Sequence, residues 1–360
     1  MNVTLDDINH AKIQTLLAPI IYLAILMVVG IPGNLTVLII YRRRYAKSVY
    51  RTIIWNLAFT DLLFCTLTMP FNIGRLIRYY TFENLWICKI FTTVIIFFIM
   101  YSSHLLVTLS IHRFRQVCMP LKSQINILNV RYWIIGGFAL AVFLDTPQFI
   151  LQPIDEVELP YNLTGHVCAV SFKNSSFAEI YNGFLTFLFG FYAFVLFILY
   201  ICIGRKMYLQ HKIKKNAIAT KSIPREDDIS SKITKIAITV SAVFAMSYIP
   251  LFVLKLLVDV IKPEELNAVQ FSILKILERS YAINHVANPF IYAFYDQRFR
   301  RQFGTFFVAP WRLKQIESST GYADGESRTP SVEKTLESSL NTYAMIKTDL
   351  SKSVDRDNVK

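Results

Sequence analysis

Charge is what this chain has least of. Of its 360 residues 18% are charged and 54% hydrophobic, and its mean hydropathy is +0.40; soluble domains carry about 25% charged residues. Glycine (12) and proline (13) are sparse as well, which excludes a collagen-like or low-complexity chain. Five cysteines are too few for a disulfide scaffold, and none has zinc-ligand spacing. The opening MNVTLDDINHAKIQ is polar and acidic. It has neither the short apolar region nor the cleavage site of a secretory signal, so the first spanning helix is expected to insert itself.

What is present is apolar sequence in blocks of roughly 20 residues or more, the length that spans a bilayer as helix. Seven such blocks lie near 16–41, 51–78, 86–117, 131–151, 178–208, 231–260 and 266–294. The expected fold is an all-α membrane protein: an extracellular N-terminus (1–15), a seven-transmembrane helix bundle (16–294), an amphipathic membrane-surface helix (295–310) and a disordered cytoplasmic tail (311–360). The formal charge of +13 raises nucleic acid as a partner, but the lysines and arginines sit mostly between the apolar blocks, which fits membrane topology instead.

Loop charge sets the expected orientation. YRRRYAKSVYR after the first block and HRFRQVCMPLKSQINILNVR after the third are basic with no acid. The loop after the fifth carries Lys206, Lys212, Lys214, Lys215, Lys221 and Arg225 against Glu226, Asp227 and Asp228. On the other side stand Asp6, Asp7, Asp155, Glu156 and Glu158. Positive charge stays inside, so the N-terminus is expected outside a plasma membrane and the tail inside. Glycosylation sequons at Asn2, Asn162 and Asn174 fall on the outer side; a fourth match, at Asn34, lies within the first block and is discounted.

Beyond the last block, Phe299, Phe303, Phe306 and Phe307 recur at helical spacing with Arg298, Arg300 and Arg301 between them. That is the pattern of a helix lying on anionic membrane lipid. Ser318, Ser319, Thr320, Ser327, Thr329, Ser331, Thr335, Ser338 and Ser339 load the tail with hydroxyls. It is either a solvated tail or a phosphorylation platform read by basic partners.

Polar groups inside the apolar blocks are costly and mark function. They are Asn34, Asp61, Ser102, His104, Arg113, Asn284 and Asn288, with the helix breaker Pro289 beside the last. Asp61 with the oxygens of Ser102, Asn284 and Asn288 makes a hard-ligand set suited to a sodium ion; the other reading is a hydrogen-bonded cluster that holds helices together. His104, His112 and His285 are scattered, with no paired cysteine or carboxylate motif. They read as packed or hydrogen-bonded histidines rather than as catalytic or metal-binding ones, and no enzyme is expected.

Over roughly residues 16–307 the chain resembles the rhodopsin-like (class A) G-protein-coupled receptors. The motifs that carry the resemblance stand in order: GN with Asn34, NLAFTDLL with Asp61, LWICK with Trp86 and Cys88, SIHRFRQVCMPL centred on Arg113 with Pro120 and Leu121 after it, FAMSYIP with Phe244 and Pro250, and NPFIY. The resemblance implies an extracellular disulfide between Cys88 and Cys168, free thiols at Cys65, Cys118 and Cys202, and a sodium pocket at Asp61, Ser102, Asn284 and Asn288. It implies a seventh helix loosened at Pro289, with Tyr292 swinging inward toward Tyr200 on activation. It further implies a heterotrimeric G protein at Arg113, Pro120 and Leu121, and arrestin and receptor kinases at the tail.

The departures bear on activation. His112 stands before Arg113 where the family has an acid that pairs with the arginine, and Phe114 replaces a tyrosine. Tyr248 replaces the sixth-helix tryptophan, Trp133 lies about a turn early for the fourth-helix tryptophan, and Tyr192 stands for the fifth-helix proline. With His112 in place of the acid, a looser inactive state and raised basal signalling are expected.

Ile95 occupies the third-helix position where amine receptors carry an aspartate, and no lysine stands at the retinal position. The resemblance therefore excludes a biogenic amine and an opsin. Arg75, Arg78, Lys255, Asp259, Glu278 and Arg279 mark the outer ends, with Asp145 deeper in the fourth block. Mixed charge at a wide mouth suits a peptide with polar and basic groups, and TMPFNIGRL resembles neuropeptide receptors. Part of this charge can equally be a solvated rim. The alternatives are a receptor for a small lipid or metabolite, and a polytopic transporter; the chain lacks the internal repeats that a transporter favours.

Overall fold

The computed structural model describes residues 3–168, 176–217, 225–257, 261, 265–297 and 299–303, with the backbone alone for 211–217, 225–231 and 255. Its architecture is helical. α1 (Leu5–Thr15) and α2 (Leu17–Arg44) open the chain. α3 (Val49–Leu63) and α4 (Met69–Ile77) form one membrane-length rod joined by a π-helical turn at Phe64–Thr68. α5 (Leu85–Cys118), α6 (Ile127–Leu151), α7 (Ser176–Ala217) and α8 (Arg225–Leu256) follow. The last span is broken into α9 (Ala268–Leu277), a 3-10 turn at Ser280–Ile283, and α10 (Asn284–Tyr295). Six stretches are long and apolar enough to cross a membrane. The broken α9–α10 rod is the seventh block of the sequence.

Much apolar surface points outward. On α7, Phe177, Ile180, Phe184, Phe187, Phe191, Phe194 and Ile198 are all exposed along one face. An apolar stripe this long has no place against water, and its natural solvent is hydrocarbon. Polar groups are gathered inside instead, with Asn34, Asp61, Ser102, Asn284, His285 and Asn288 all buried.

The central helix is α5, which packs on both α6 and α7. Gly137 lets α6 approach: a Cβ there would lie 2.0 Å from the His104 ring. His104 uses that closeness to reach the Trp133 carbonyl, 3.0 Å away. Asn34 ties the first span to the last by donating its amide to the carbonyls of Gly30 (3.0 Å) and His285 (2.8 Å). A buried, doubly bonded Asn34 is incompatible with a glycan, as its place in the first block implied.

Two elements were not expected from the sequence. α1 is a capped helix: Thr4 accepts from the Asp7 N–H, and the Asp7 carboxylate accepts from the Thr4 N–H, a capping box. It is docked through Asn9, whose amide donates to the Ile77 carbonyl (3.0 Å) and whose oxygen accepts from the Tyr80 N–H (3.0 Å), and through a Ser272 hydroxyl donating to the Thr15 carbonyl. The second is a hairpin, β1 (Asp155–Leu159) antiparallel to β2 (Leu163–Val167). Its turn places Tyr161 and Asn162 at positive φ (66° and 57°), a conformation that asparagine tolerates and tyrosine does not favour. The hairpin docks on the segment after α4 through His166 N–H to the Tyr80 carbonyl (2.7 Å) and Phe82 N–H to the His166 carbonyl (3.0 Å).

Past α10, residues 299–303 are helical. Phe299 does not face lipid as its spacing suggested. It is buried, with its ring against Tyr41 (6.1 Å) and Tyr292 (6.3 Å). Phe303, Arg300 and Arg301 are exposed. Arg298, Phe306, Phe307 and the hydroxyl-rich tail lie outside the described residues.

Candidate functional site: a polar core between two membrane faces

The polar core is built around Asp61. Its side chain is fully buried, and each oxygen accepts one N–H: Oδ1 from His285 Nδ1 and Oδ2 from Asn288, both at 2.7 Å. With Asp61 ionised its oxygens can only accept, and Nδ1 then carries the hydrogen. The imidazole is fixed on its other side by Phe64, stacked at 3.8 Å. Phe64 opens the π-helical turn, and such turns re-aim side chains at functional positions. Ser102 and Asn284 are buried as well, on α5 and α10. The Ser102 hydroxyl and both Asn284 amide atoms find no hydrogen-bond partner among the described residues.

Asn288 thus meets Asp61, while no described bond links Ser102 or Asn284 to it. The residue that completes the cluster is His285, which the sequence offered only as a packed or hydrogen-bonded histidine. For a sodium ion on Asp61 the fit is poor. The carboxylate is met by two N–H donors, and the Asn288 oxygen is not the atom turned toward it.

The end of the bundle where α9 gives way to the 3-10 turn holds charge. Lys275 Nζ contacts both Glu278 oxygens (2.8 and 3.1 Å), and Arg279 Nη1 contacts Glu278 Oε2 (3.1 Å) and the Lys275 carbonyl (2.9 Å). Glu278 and Arg279 stand at the break between α9 and α10, Arg279 buried and Glu278 half-buried. Ser280 anchors that break by donating to the Ser247 carbonyl on α8 (2.6 Å). Arg75, on α4, donates to the Asn72 side chain (3.2 Å) and lies close enough to Arg279 and Glu278 for their charges to interact. Lys275 was not picked out in the sequence; its signal was the i, i+3 spacing to Glu278. Asp259 and the Lys255 side chain lie outside the described residues. Ile95 is buried, as is Asp145, whose carboxylate oxygens find no hydrogen-bond partner among the described residues.

Below this cluster lies an aromatic layer. Phe244 and Tyr248, six and two residues before Pro250 on α8, are fully buried with Phe189 at 5.2 and 4.7 Å. Tyr248 also reaches Tyr281 at 6.2 Å.

At the opposite end Arg113 is buried, with its guanidinium 4.9 Å over the Tyr50 ring and no carboxylate on it among the described residues. His112 is buried beside it. The Tyr200 hydroxyl is held by Ser110 (2.6 Å), Ser241 (2.9 Å) and the Ala237 carbonyl (3.0 Å). Tyr292 packs instead on Tyr41 (5.8 Å) and Phe299, so the expected Tyr200–Tyr292 pair is not formed in this structure. Pro289, one turn before Tyr292, packs against Gly33, where a Cβ would lie 3.1 Å from its ring. Pro120 and Leu121 are exposed, Leu121 fully.

Cys88 and Cys168 form a disulfide with Cα atoms 5.8 Å apart. It fastens the second strand of the hairpin to the start of α5. Cys65, Cys118 and Cys202 are free thiols. Asn162 is exposed on the hairpin turn, whereas Asn2 and Asn174 lie outside the described residues.

The family described as "7 transmembrane receptor (rhodopsin family)" matches residues 33–292. The chain belongs to that family. It is therefore a multi-pass membrane receptor of the G-protein-coupled class and not an enzyme. Among similar proteins, "Neuropeptide FF receptor 2" of Rattus norvegicus is 26% identical over 287 residues, covering 75% of this chain and 68% of the relative. "Neuropeptide FF receptor 1" of the same organism is 24% identical over 310 residues, 81% of this chain and 71% of the relative. "Neuropeptide FF receptor 2" of Mus musculus is 26% identical over 299 residues.

Proposed function

We propose that this receptor binds a neuropeptide at its extracellular end and activates a heterotrimeric G protein at its cytoplasmic end. The observation that carries the peptide reading is the charged cluster of Arg75, Lys275, Glu278 and Arg279. A hydrophobic lipid would leave those charges without partners, whereas a peptide brings polar and charged groups to meet them. The names of the similar receptors agree with it.

The N-terminus and the hairpin lie outside, by the loop-charge rule, and Asn162 carries a glycan there. Inside, Arg113 and the exposed Leu121 meet the G protein. Activation releases Tyr200 from Ser110 and Ser241 and brings Tyr292, loosened at Pro289, toward it. Kinases and arrestin act on the hydroxyl-rich tail, and the arginines after α10 contact anionic lipid.

The test is a calcium-mobilisation screen of the full-length receptor, with a promiscuous G-protein subunit and surface expression confirmed, against a neuropeptide library. A potent, saturable response to one peptide is expected. A response to lipids or metabolites alone would replace the peptide reading with the alternative.

A further inference from the structure

The outer cluster is not balanced. Arg279 is 4% exposed and Lys275 has 14% of its side chain exposed. Lys275, Arg279 and Arg75 all act on the one carboxylate of Glu278, and on one another. α1 adds a further cation: Lys12 Nζ lies 3.5 Å from the Phe271 ring centroid and feels the charge of Lys275. Burial, and then Lys275, push the Lys12 ammonium below its ordinary value. Among the described residues that these interactions link, four are cations and one is a carboxylate. The excess is also unmet at the level of single atoms, since Arg279 Nε finds no hydrogen-bond partner among the described residues.

Cations removed from water need anions or acceptors close by, and repel each other strongly where the dielectric is low. Such an excess is tolerated when an outside anion completes it. Guanidinium groups are suited to this, because their planar donors meet two carboxylate oxygens at once. We propose that the outer end of the bundle is an anion-binding site and that the activating ligand presents a carboxylate to Arg75, Lys275 and Arg279. The ligand's being a peptide rests on the reading above; the anion site does not. In a peptide the carboxylate is a free C-terminus or an acidic side chain. The tyrosines around the site, Tyr22, Tyr79 and Tyr281, supply further hydroxyls: the charges of Arg75 and Arg279 reach Tyr79 and Tyr281, and Tyr22 donates to the Arg279 carbonyl at 3.4 Å.

The site is tested with a small dicarboxylate on the purified full-length receptor. Melting temperatures are compared in sodium succinate and in sodium chloride of equal ionic strength. The wild type is expected to melt about 2–4 °C higher in succinate, and the gap is expected to close in the Arg75→Gln/Arg279→Gln double variant. That control separates binding from the general stabilisation that excluded salts give. Equal melting in the two salts for the wild type, or a gap that survives in the double variant, overturns the site. Should the double variant fail to fold, Arg75→Gln alone serves, since its guanidinium has just the Asn72 side-chain bond among those described; its gap is expected to shrink, and an unchanged gap counts against the site. A peptide agonist with no carboxylate, equally potent on wild type and Arg75→Gln, leaves the peptide receptor standing and removes the anion site. A succinate gap with a silent peptide screen does the reverse.

Discussion

Two of the carboxylates set in this bundle, Asp61 and Glu278, are treated oppositely. Asp61 meets two N–H groups from α10, one for each oxygen, and a stacked Phe64 closes the site. Glu278 meets Lys275 and Arg279 directly, with Arg75 and Lys12 adding positive charge around it. The Asp61 carboxylate is matched from within the chain, and its two bonds tie the second span to the seventh. Around Glu278 the linked described residues carry more cation than carboxylate, and that excess is what the proposed ligand carboxylate would meet. A buried polar group with all its partners in the same chain is a fastener. One that lacks partners is a socket.

The largest effect expected is at the fastener. Asp61→Ala leaves the His285 and Asn288 donors without acceptors, at a cost of roughly 3 kcal/mol. The purified protein should melt markedly lower and reach the cell surface poorly; an unchanged melting temperature would show that the two bonds contribute little. His285→Ser is expected to cost less, about 1–2 kcal/mol, and to make room for a cation at Asp61. The wild type should melt equally in sodium chloride and choline chloride, whereas the variant should melt higher in sodium. A sodium effect already present in the wild type, and lost with Asp61→Asn, would show that the imidazole does not stand in for the ion.

At the socket the sign reverses. Arg75→Gln removes unmatched positive charge, so the ligand-free receptor should gain up to about 1 kcal/mol while losing ligand affinity, a trade of stability against function. A lower melting temperature would mean that Arg75 is satisfied as it stands. The last effect is expected at the Arg113 end of the bundle, where no described carboxylate meets the guanidinium. His112→Asp should supply one and lower basal signalling about fivefold, the equivalent of 1 kcal/mol. Unchanged basal signalling at equal surface expression would show that the histidine does not loosen the inactive state.

The spans were legible because hydrocarbon imposes one rule on every residue of a helix, and that rule is visible as composition. Asp61, Asn288 and the Cys88–Cys168 pair were legible through motifs. The role of His285 was not, because it depends on the packing that sets α10 against Asp61 and Phe64, and the π-helical turn that Phe64 opens leaves no mark in hydropathy. Phe299 was read as lipid-facing from its period; the aromatic cluster of Tyr41 and Tyr292 claims it instead, a tertiary choice between two apolar environments. The capping box of α1 could have been found in TLDD. The hairpin's turn was harder, because Tyr161 is a poor residue for positive φ and hides the signal.

The most direct measurement is the calcium response of cells expressing the full-length receptor to a library in which each carboxylate-bearing peptide is paired with its fully amidated form. The account predicts a response to a carboxylate-bearing member that weakens by about tenfold or more on amidation, and by a similar factor in Arg279→Gln. Equal potency within the pair, unchanged by Arg279→Gln, would contradict it.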